Sequence, residues 1–281
     1  MNFAGFGLAL ITLALCAVMV IGNRLIRKVT NSYFFWLIVG AFCFSWLLAY
    51  RFVPDWQNYA SYVITDPSSY ADSVIISKAF LLDICPFSAL AMSVLLMVDP
   101  TRKVARSFAP LALIGGLITV VSLCFDNDIT AEWSAQFIFF GLDPNKCYFM
   151  MHFMMIMMAL GIMLNTPRNG WKGTLLTFII AVLYYSYVGI IMRVKGVCWN
   201  VSGLSLNDWD TGEYSFARQM FGIPLKACPF VGIPVLFLVG CGVIAIKDYV
   251  FDRGSFRYGN AFSGYWYRWY NYNKYVKQNI L

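Results

Sequence analysis

Seven separated apolar runs constrain this chain more than any other feature: residues 3–22, 33–50, 74–98, 108–125, 147–165, 174–192 and 230–246. Runs of about 17–25 apolar residues read as membrane-spanning helices. In hydrocarbon the backbone must satisfy its own hydrogen bonds, and a helix does so within one segment. The expected fold is therefore all-α: a polytopic helical bundle of about seven transmembrane helices, multi-pass in the cell membrane. Composition agrees, with 60% hydrophobic residues and 12% charged, about half the charged fraction of a soluble domain. The longest polar segment, 193–229, is too short for a separate soluble domain. Residues 1–250 form the expected seven-span domain, and 251–281 an aromatic and basic cytoplasmic tail at the interface.

Loop charges orient the bundle. The 23–32 loop carries Arg24, Arg27 and Lys28 and no acid. The 99–107 loop sets Arg102, Lys103 and Arg106 against Asp99, the 166–173 loop has Arg168 and Lys172, and the tail is rich in Lys and Arg. The intervening loops 51–73 and 126–146 are acidic, and 193–229 is mixed. Positive charge concentrates on the cytoplasmic side, so this alternation predicts an outside N-terminus and an inside C-terminus. The net charge of +7 is then a topology signal, and nucleic acid is not an expected partner. The first run reads as a retained helix: its positive charges follow it, and no small-residue cleavage site stands out.

The 251–281 tail contains GYWYRWYNYNKYVKQ (264–278). Interleaved aromatic and basic residues suit an inner-leaflet anchor among membrane lipids, and also offer a docking surface for a protein partner. The segment SAQFIFFGL (134–142) is too short to span and reads as interfacial or re-entrant. Most of the eight Cys fall inside spans (Cys16, Cys43, Cys85, Cys124, Cys241), where Cys behaves as a small hydrophobe. Cys198 and Cys228 share a predicted outer loop, where an oxidising exterior permits a disulfide. Asn200-Val-Ser202 matches a glycosylation sequon.

Two charges fall within the spans as drawn, Lys78 and Asp83. An ionisable group inside a membrane costs roughly 2.5–3.5 kcal/mol on insertion scales, so it usually has a partner or a task. Lys78 lies near the outer end of its span and can snorkel. Asp83 is roughly 7–8 Å deeper, facing a wet cavity, a partner or a proton. Cys85 follows Lys78 by seven residues, on nearly the same helix face, and an adjacent ammonium favours the nucleophilic thiolate. Pro86 removes a backbone hydrogen bond and predicts a kink that frees the carbonyl near Leu82.

The single histidine, His152, sits within CYFMMHFMMIMMAL (147–160). Measured from Lys78 and Lys146, Cys85 and His152 lie about 9–11 Å below the same surface. A Cys and a His at one depth suit a nucleophile–base pair. Two plainer roles remain open: a hydrogen bond between helices for His152, and an inert core thiol for Cys85. Methionines around His152 suit an acyl chain or serve as core filler.

DICPFSA (83–89), a span with a lone His, a Tyr-rich span and a loop bearing Asn200 together resemble the YwaF-like integral membrane proteins. Their eukaryotic relative is a transmembrane acyltransferase that places polyunsaturated acyl chains on ether phospholipids. The resemblance covers roughly residues 76–246. It implies Cys85 as acyl acceptor, His152 as base, and Asn200 as a counterpart of an Asn that follows the sixth span. The Pro directly after Cys85 and the long loop before the last span depart from that family. The leading expectation is phospholipid acyl transfer by a Cys85–His152 pair, with Asp83, Lys78 and Asn200 on the substrate. No cofactor is expected: the sequence has no phosphate-binding glycine loop, and one His with scattered Cys makes no convincing zinc site. The alternatives are a transporter or binding subunit that uses Asp83 and the Pro86 kink, or a noncatalytic partner subunit of a membrane complex.

Overall fold

The computed structural model describes residues 3–122, 124, 134–140, 148–166, 170–200, 202–212, 214–232, 235 and 238–243. The tail, most of the 126–146 loop and much of the last apolar run lie outside these. Among the described residues the secondary structure is helical, with no strand.

The long helices follow the apolar runs. They are α1 (Phe3–Thr30), α2 (Tyr33–Leu47), α3 (Val53–Ser61), α4 (Tyr70–Ala79), α5 (Ile84–Val98), α6 (Lys103–Ser122), α7 (Tyr148–Asn165) and α8 (Gly170–Lys195). Two short helices, α9 (Leu206–Asp210) and α10 (Ser215–Phe221), fold within the long loop. A π-helical segment, Leu48–Phe52, joins α2 to α3, so the helix drawn as ending at 50 runs on to Ser61. Residues 136–140 of the interfacial patch form a second π-helical turn against α7.

Among the described residues five stretches are long and apolar enough to cross a membrane: Ala4–Asn23, Tyr33–Ser61, Tyr70–Val98, Lys103–Val121 and Lys172–Lys195. Phe149–Asn165 is a shorter apolar helix. Helices α1, α2 and α8 expose large apolar side chains such as Val18, Ile21, Phe34, Ile38, Leu183 and Ile190. Contiguous apolar faces of this extent suit a bilayer rather than water. Helix α6 is the hub. It packs against α1, α5, α7 and α8, and 67% of its apolar window is buried.

Small residues let the helices approach. A Cβ on Gly40 of α2 would stand 2.7 Å from the Ser93 carbonyl oxygen of α5. One on Gly116 of α6 would stand 2.6 Å from Ile156 of α7. Small residues at such crossings are how helices associate where apolar burial gives no drive.

One end of the bundle is closed by arginine. Arg102 donates from Nη2 to the Asn31 carbonyl at 2.8 Å and from Nη1 to the Thr30 carbonyl at 3.3 Å. Arg106 Nη1 donates to the Thr166 carbonyl at 2.7 Å and to Thr166 Oγ1 at 3.3 Å. These carbonyls end α1 and α7, where a helix leaves acceptors unsatisfied and carries partial negative charge. Asp99 Oδ2 accepts from the N–H groups of Val104 and Ala105, at 2.8 and 3.1 Å, at the start of α6.

Candidate functional site

At the opposite end the third apolar run is broken rather than kinked. Helix α4 ends at Ala79 and α5 begins at Ile84. Between them Leu81 takes a positive φ of 54°, which is uncommon for a bulky residue. The expectation of a continuous kinked helix is thereby corrected. Pro86 sits in the first turn of a new helix, where a missing N–H costs least. The helical phase that aligned Lys78 with Cys85 does not survive the break.

A chain that unwinds in an apolar environment must find new partners for its carbonyls. Here four consecutive ones do. Trp56 Nε1 donates to the Ala79 carbonyl at 3.0 Å. Tyr187 Oη donates to the Phe80 carbonyl at 2.5 Å and Tyr184 Oη to that of Leu81 at 3.3 Å. Ser202 Oγ donates to the Leu82 carbonyl. The carbonyl expected to come free near Leu82 is thus taken by a residue of the long loop.

That loop roofs the break. Ser77 Oγ donates to the Trp199 carbonyl at 3.1 Å, and the Cys198 N–H donates to Ser73 Oγ at 3.3 Å. The Asn200 N–H reaches both oxygens of buried Asp208, at 3.0 and 2.9 Å. Trp209 stacks on Tyr214 and donates from Nε1 to the Gly203 carbonyl at 2.8 Å.

Beneath the roof lies a cavity of about 550 Å³, within the range of roughly 300–1,000 Å³ typical of ligand sites. Lys78, Asp83, Cys85, His152 and Asn200 all line it. Lys78, Asp83 and Cys85 are half-buried, while His152 and Asn200 are buried. Most of the wall is apolar and aromatic, including Ile84, Ile118, Tyr185, Trp209 and Phe221.

Two adjacent glycines of α6 let the helices that carry Cys85 and His152 approach it closely. A Cβ at Gly115 would lie 3.5 Å from Cys85 Sγ, and one at Gly116 would lie 3.1 Å from the His152 carbonyl oxygen. Helices α5 and α7 also pack directly on one another, although α6 separates them in sequence. Cys85 Sγ stands 3.9 Å from Thr119 Oγ1, which itself donates to the Gly115 carbonyl at 3.1 Å. Cys85 is the second residue of α5, and Asp83 at the N-cap makes no side-chain cap bond. The first N–H groups of a helix have no acceptor within it and carry partial positive charge. Pro86 has no N–H and the Phe87 N–H donates to the Asp83 carbonyl at 3.4 Å, so the N–H groups that the start of α5 sets beside the thiol are those of Ile84 and Cys85.

Sequence reasoning passed over several cavity residues. Arg51 lines the cavity from the π-helical segment, and its Nε lies 3.0 Å from Asp55 Oδ2 in a buried ion pair. The i,i+4 spacing of opposite charges was visible, but both residues fell beyond the span as drawn. Thr119 and Asp208 gave no local signal, and Ser202 stood out only as part of a sequon. Of the methionines near His152, Met151 lines the cavity, while Met155 and Met158 fill the core.

The structure also places the outer-loop cysteines and the sequon. Cys198 and Cys228 are free thiols, and Cys228 Sγ lies against the Pro224 carbonyl at 3.5 Å. The sequon is corrected: Asn200 and Ser202 are both buried and engaged within the roof, so the folded chain presents no acceptor amide there. Among the described residues no group of His, Cys, Asp and Glu is placed to hold a metal ion.

Fold and site together define an all-helical protein with several helices able to span a membrane and a largely apolar cavity under a folded loop. The chain belongs to the family of unknown function DUF5378, whose match covers residues 10–278. It is similar to "Uncharacterized protein MG135" of Mycoplasma genitalium, 32% identical over 149 residues, which are 52% of this chain and 53% of that protein. It is also similar to "Uncharacterized protein MG135 homolog" of Mycoplasma pneumoniae, 32% identical over 145 residues, 51% of this chain and 50% of the relative. The chain spans about half the length of the curated relatives it matches. No solved structure matches it.

Proposed function

We propose that this chain is a multi-pass membrane protein of the YwaF-like type that transfers an acyl chain between lipids through Cys85. The observation that supports the reading is the common cavity: Cys85 at the start of α5 and His152 in α7 both line it. The largely apolar wall suits an acyl chain.

In the first half-reaction His152 accepts the Cys85 thiol proton as sulfur attacks the ester carbonyl of a phospholipid. The tetrahedral oxyanion develops beside the first N–H groups of α5, whose fixed dipoles stabilise it. Collapse breaks the ester C–O bond, and His152 returns the proton to the departing alkoxide, which leaves as a lysolipid. In the second half an acceptor hydroxyl attacks the thioester and gives its proton to His152. The C–S bond breaks, and the proton passes to the Cys85 thiolate. The test is mass spectrometry of the purified full-length chain after incubation with labelled phospholipid. An acyl thioester on Cys85 is expected, absent in Cys85→Ala and slowed in His152→Gln. Label incorporation that survives Cys85→Ala sinks the reading.

We place seven helices in the membrane, with the N-terminus outside and the C-terminus inside. Loop charge supports this orientation, and it puts the arginine-closed end at the cytoplasm and the cavity near the outer leaflet. Cysteine-accessibility labelling checks it, and an outside C-terminus overturns it. A transporter reading draws on the broken helix and Asp83, but the four carbonyls at the break are already held by side-chain donors. Unwound transport sites instead use such carbonyls for the ion.

A further inference from the structure

Buried polar atoms almost always have a partner, so one without a partner asks for an explanation. Asn200 Oδ1 is such an atom: the side chain is buried, the oxygen has no hydrogen-bond partner, and the residue lines the cavity. Its surroundings fix it from the other sides. The backbone N–H is held by both oxygens of Asp208. Nδ2 donates to Met192 Sδ at 3.4 Å. A thioether is a weak acceptor and never a donor, so the amide orientation follows: nitrogen to the sulfur, oxygen left over. An Asn carbonyl accepts up to two hydrogen bonds, and among the described residues neither is used. Ser88 Oγ, another buried atom without a partner, does not line the cavity.

We infer that Asn200 Oδ1 receives the hydroxyl of an amphiphilic ligand, an alcohol with one apolar chain seated in the cavity. The acceptor is neutral and rigidly placed. The apolar wall takes the chain, and a bare hydrocarbon ligand would leave the oxygen stranded. A hydroxyl is chosen over other donors because the acyl-transfer reading needs an acceptor alcohol here, and to that extent the inference rests on that reading. Asn200 then holds the alcohol while His152 takes its proton. Asn200 is a binding residue for the acceptor and plays no part in forming the thioester.

The experiment reads binding without chemistry. Two ether-linked, single-chain glycerol phosphates are titrated against the purified full-length chain in nanodiscs. One carries a free secondary hydroxyl, and the other is its deoxy twin. The expected result is at least about tenfold tighter binding of the hydroxyl probe, the order that follows when a buried hydrogen-bonding group loses its partner. Asn200→Ala is expected to bring the ratio near one. The wild-type comparison stands by itself if that variant fails to fold. Equal binding of both probes, binding of neither, or a preference that persists in folded Asn200→Ala overturns the inference. Failure of the acyl-transfer reading looks different: the hydroxyl preference holds, yet no thioester forms on Cys85. A thioester without any hydroxyl preference is the reverse case, and defeats only the role of Asn200.

Discussion

Where α6 begins, Arg102 and Arg106 reach across to the last carbonyls of α1 and α7, and Asp99 holds the first N–H groups of α6. Where α6 ends, Arg51, Asp83, Lys78, His152 and Asn200 surround a cavity. Both ends bury charge in an apolar bundle. At the first the charges are spent on backbone groups of neighbouring helices. At the second, the carbonyls of residues 79–82 are held by neutral donors, from Trp56, Tyr187, Tyr184 and Ser202, and charged side chains line the cavity. The difference teaches that one end is closed by charged donors, while the other closes its broken backbone with neutral donors and leaves a cavity.

The largest stability effect is expected at Asp55. Removing one partner of a buried ion pair costs about 3–5 kcal/mol. Asp55→Leu should lower the unfolding temperature sharply in detergent, and adding Arg51→Met should recover most of the loss. If the single variant is neutral, Arg51 is serving the cavity rather than Asp55, and the ion pair is not structural.

Arg106→Met tests the closed end. It leaves the Thr166 carbonyl and the α7 terminus without their cation, a loss of about 1.5–3 kcal/mol for a charged hydrogen bond. Stability should fall while probe binding in the cavity is unchanged. Altered binding affinity in the folded variant would break the separation between the two ends. Gly40→Ala addresses the lipid-level core between them. Its Cβ would meet backbone at 2.7 Å, and overpacking of that kind costs about 1–3 kcal/mol, again without effect on the cavity.

How far the sequence foretold this depends on the range of the interactions. The apolar runs are local patterns, and they mark the long helices well. The depth match of Cys85 and His152 was counted from Lys146, outside the described residues, and from Lys78 across what proves a broken helix; both residues line the cavity all the same. Pro86 announced a disturbance but not its form, because the break is held by Tyr184, Tyr187 and Ser202, each more than a hundred residues away in sequence. Arg102 and Arg106 were legible as topology signals only. Counting loop charges says which side they occupy, not that they turn inward to cap α1 and α7. Arg51 and Asp55 were hidden by a boundary drawn where hydropathy faded, whereas the helix continues through its π-helical segment to Ser61.

The smallest expected effect is at Asp83, and it decides most directly what the cavity end is for. Its carboxylate makes no cap bond to α5, so at the helix end Asp83→Asn forfeits only the attraction between a negative charge and the N-terminus. That attraction is about 0.3–1 kcal/mol. Thermal unfolding should barely move. Under acyl transfer, thioester formation on Cys85 should persist in Asp83→Asn, since sulfur, imidazole and the α5 N–H groups remain in place. A proton-coupled transporter predicts the opposite pattern: complete loss of flux in Asp83→Asn, with Cys85→Ala fully active. Running both variants through both assays separates the readings, because each predicts a different residue as the one whose loss is silent. If Asp83→Asn abolishes function while Cys85→Ala does not, the charge lining the cavity is the working group, and the thiol is core filler at the start of α5.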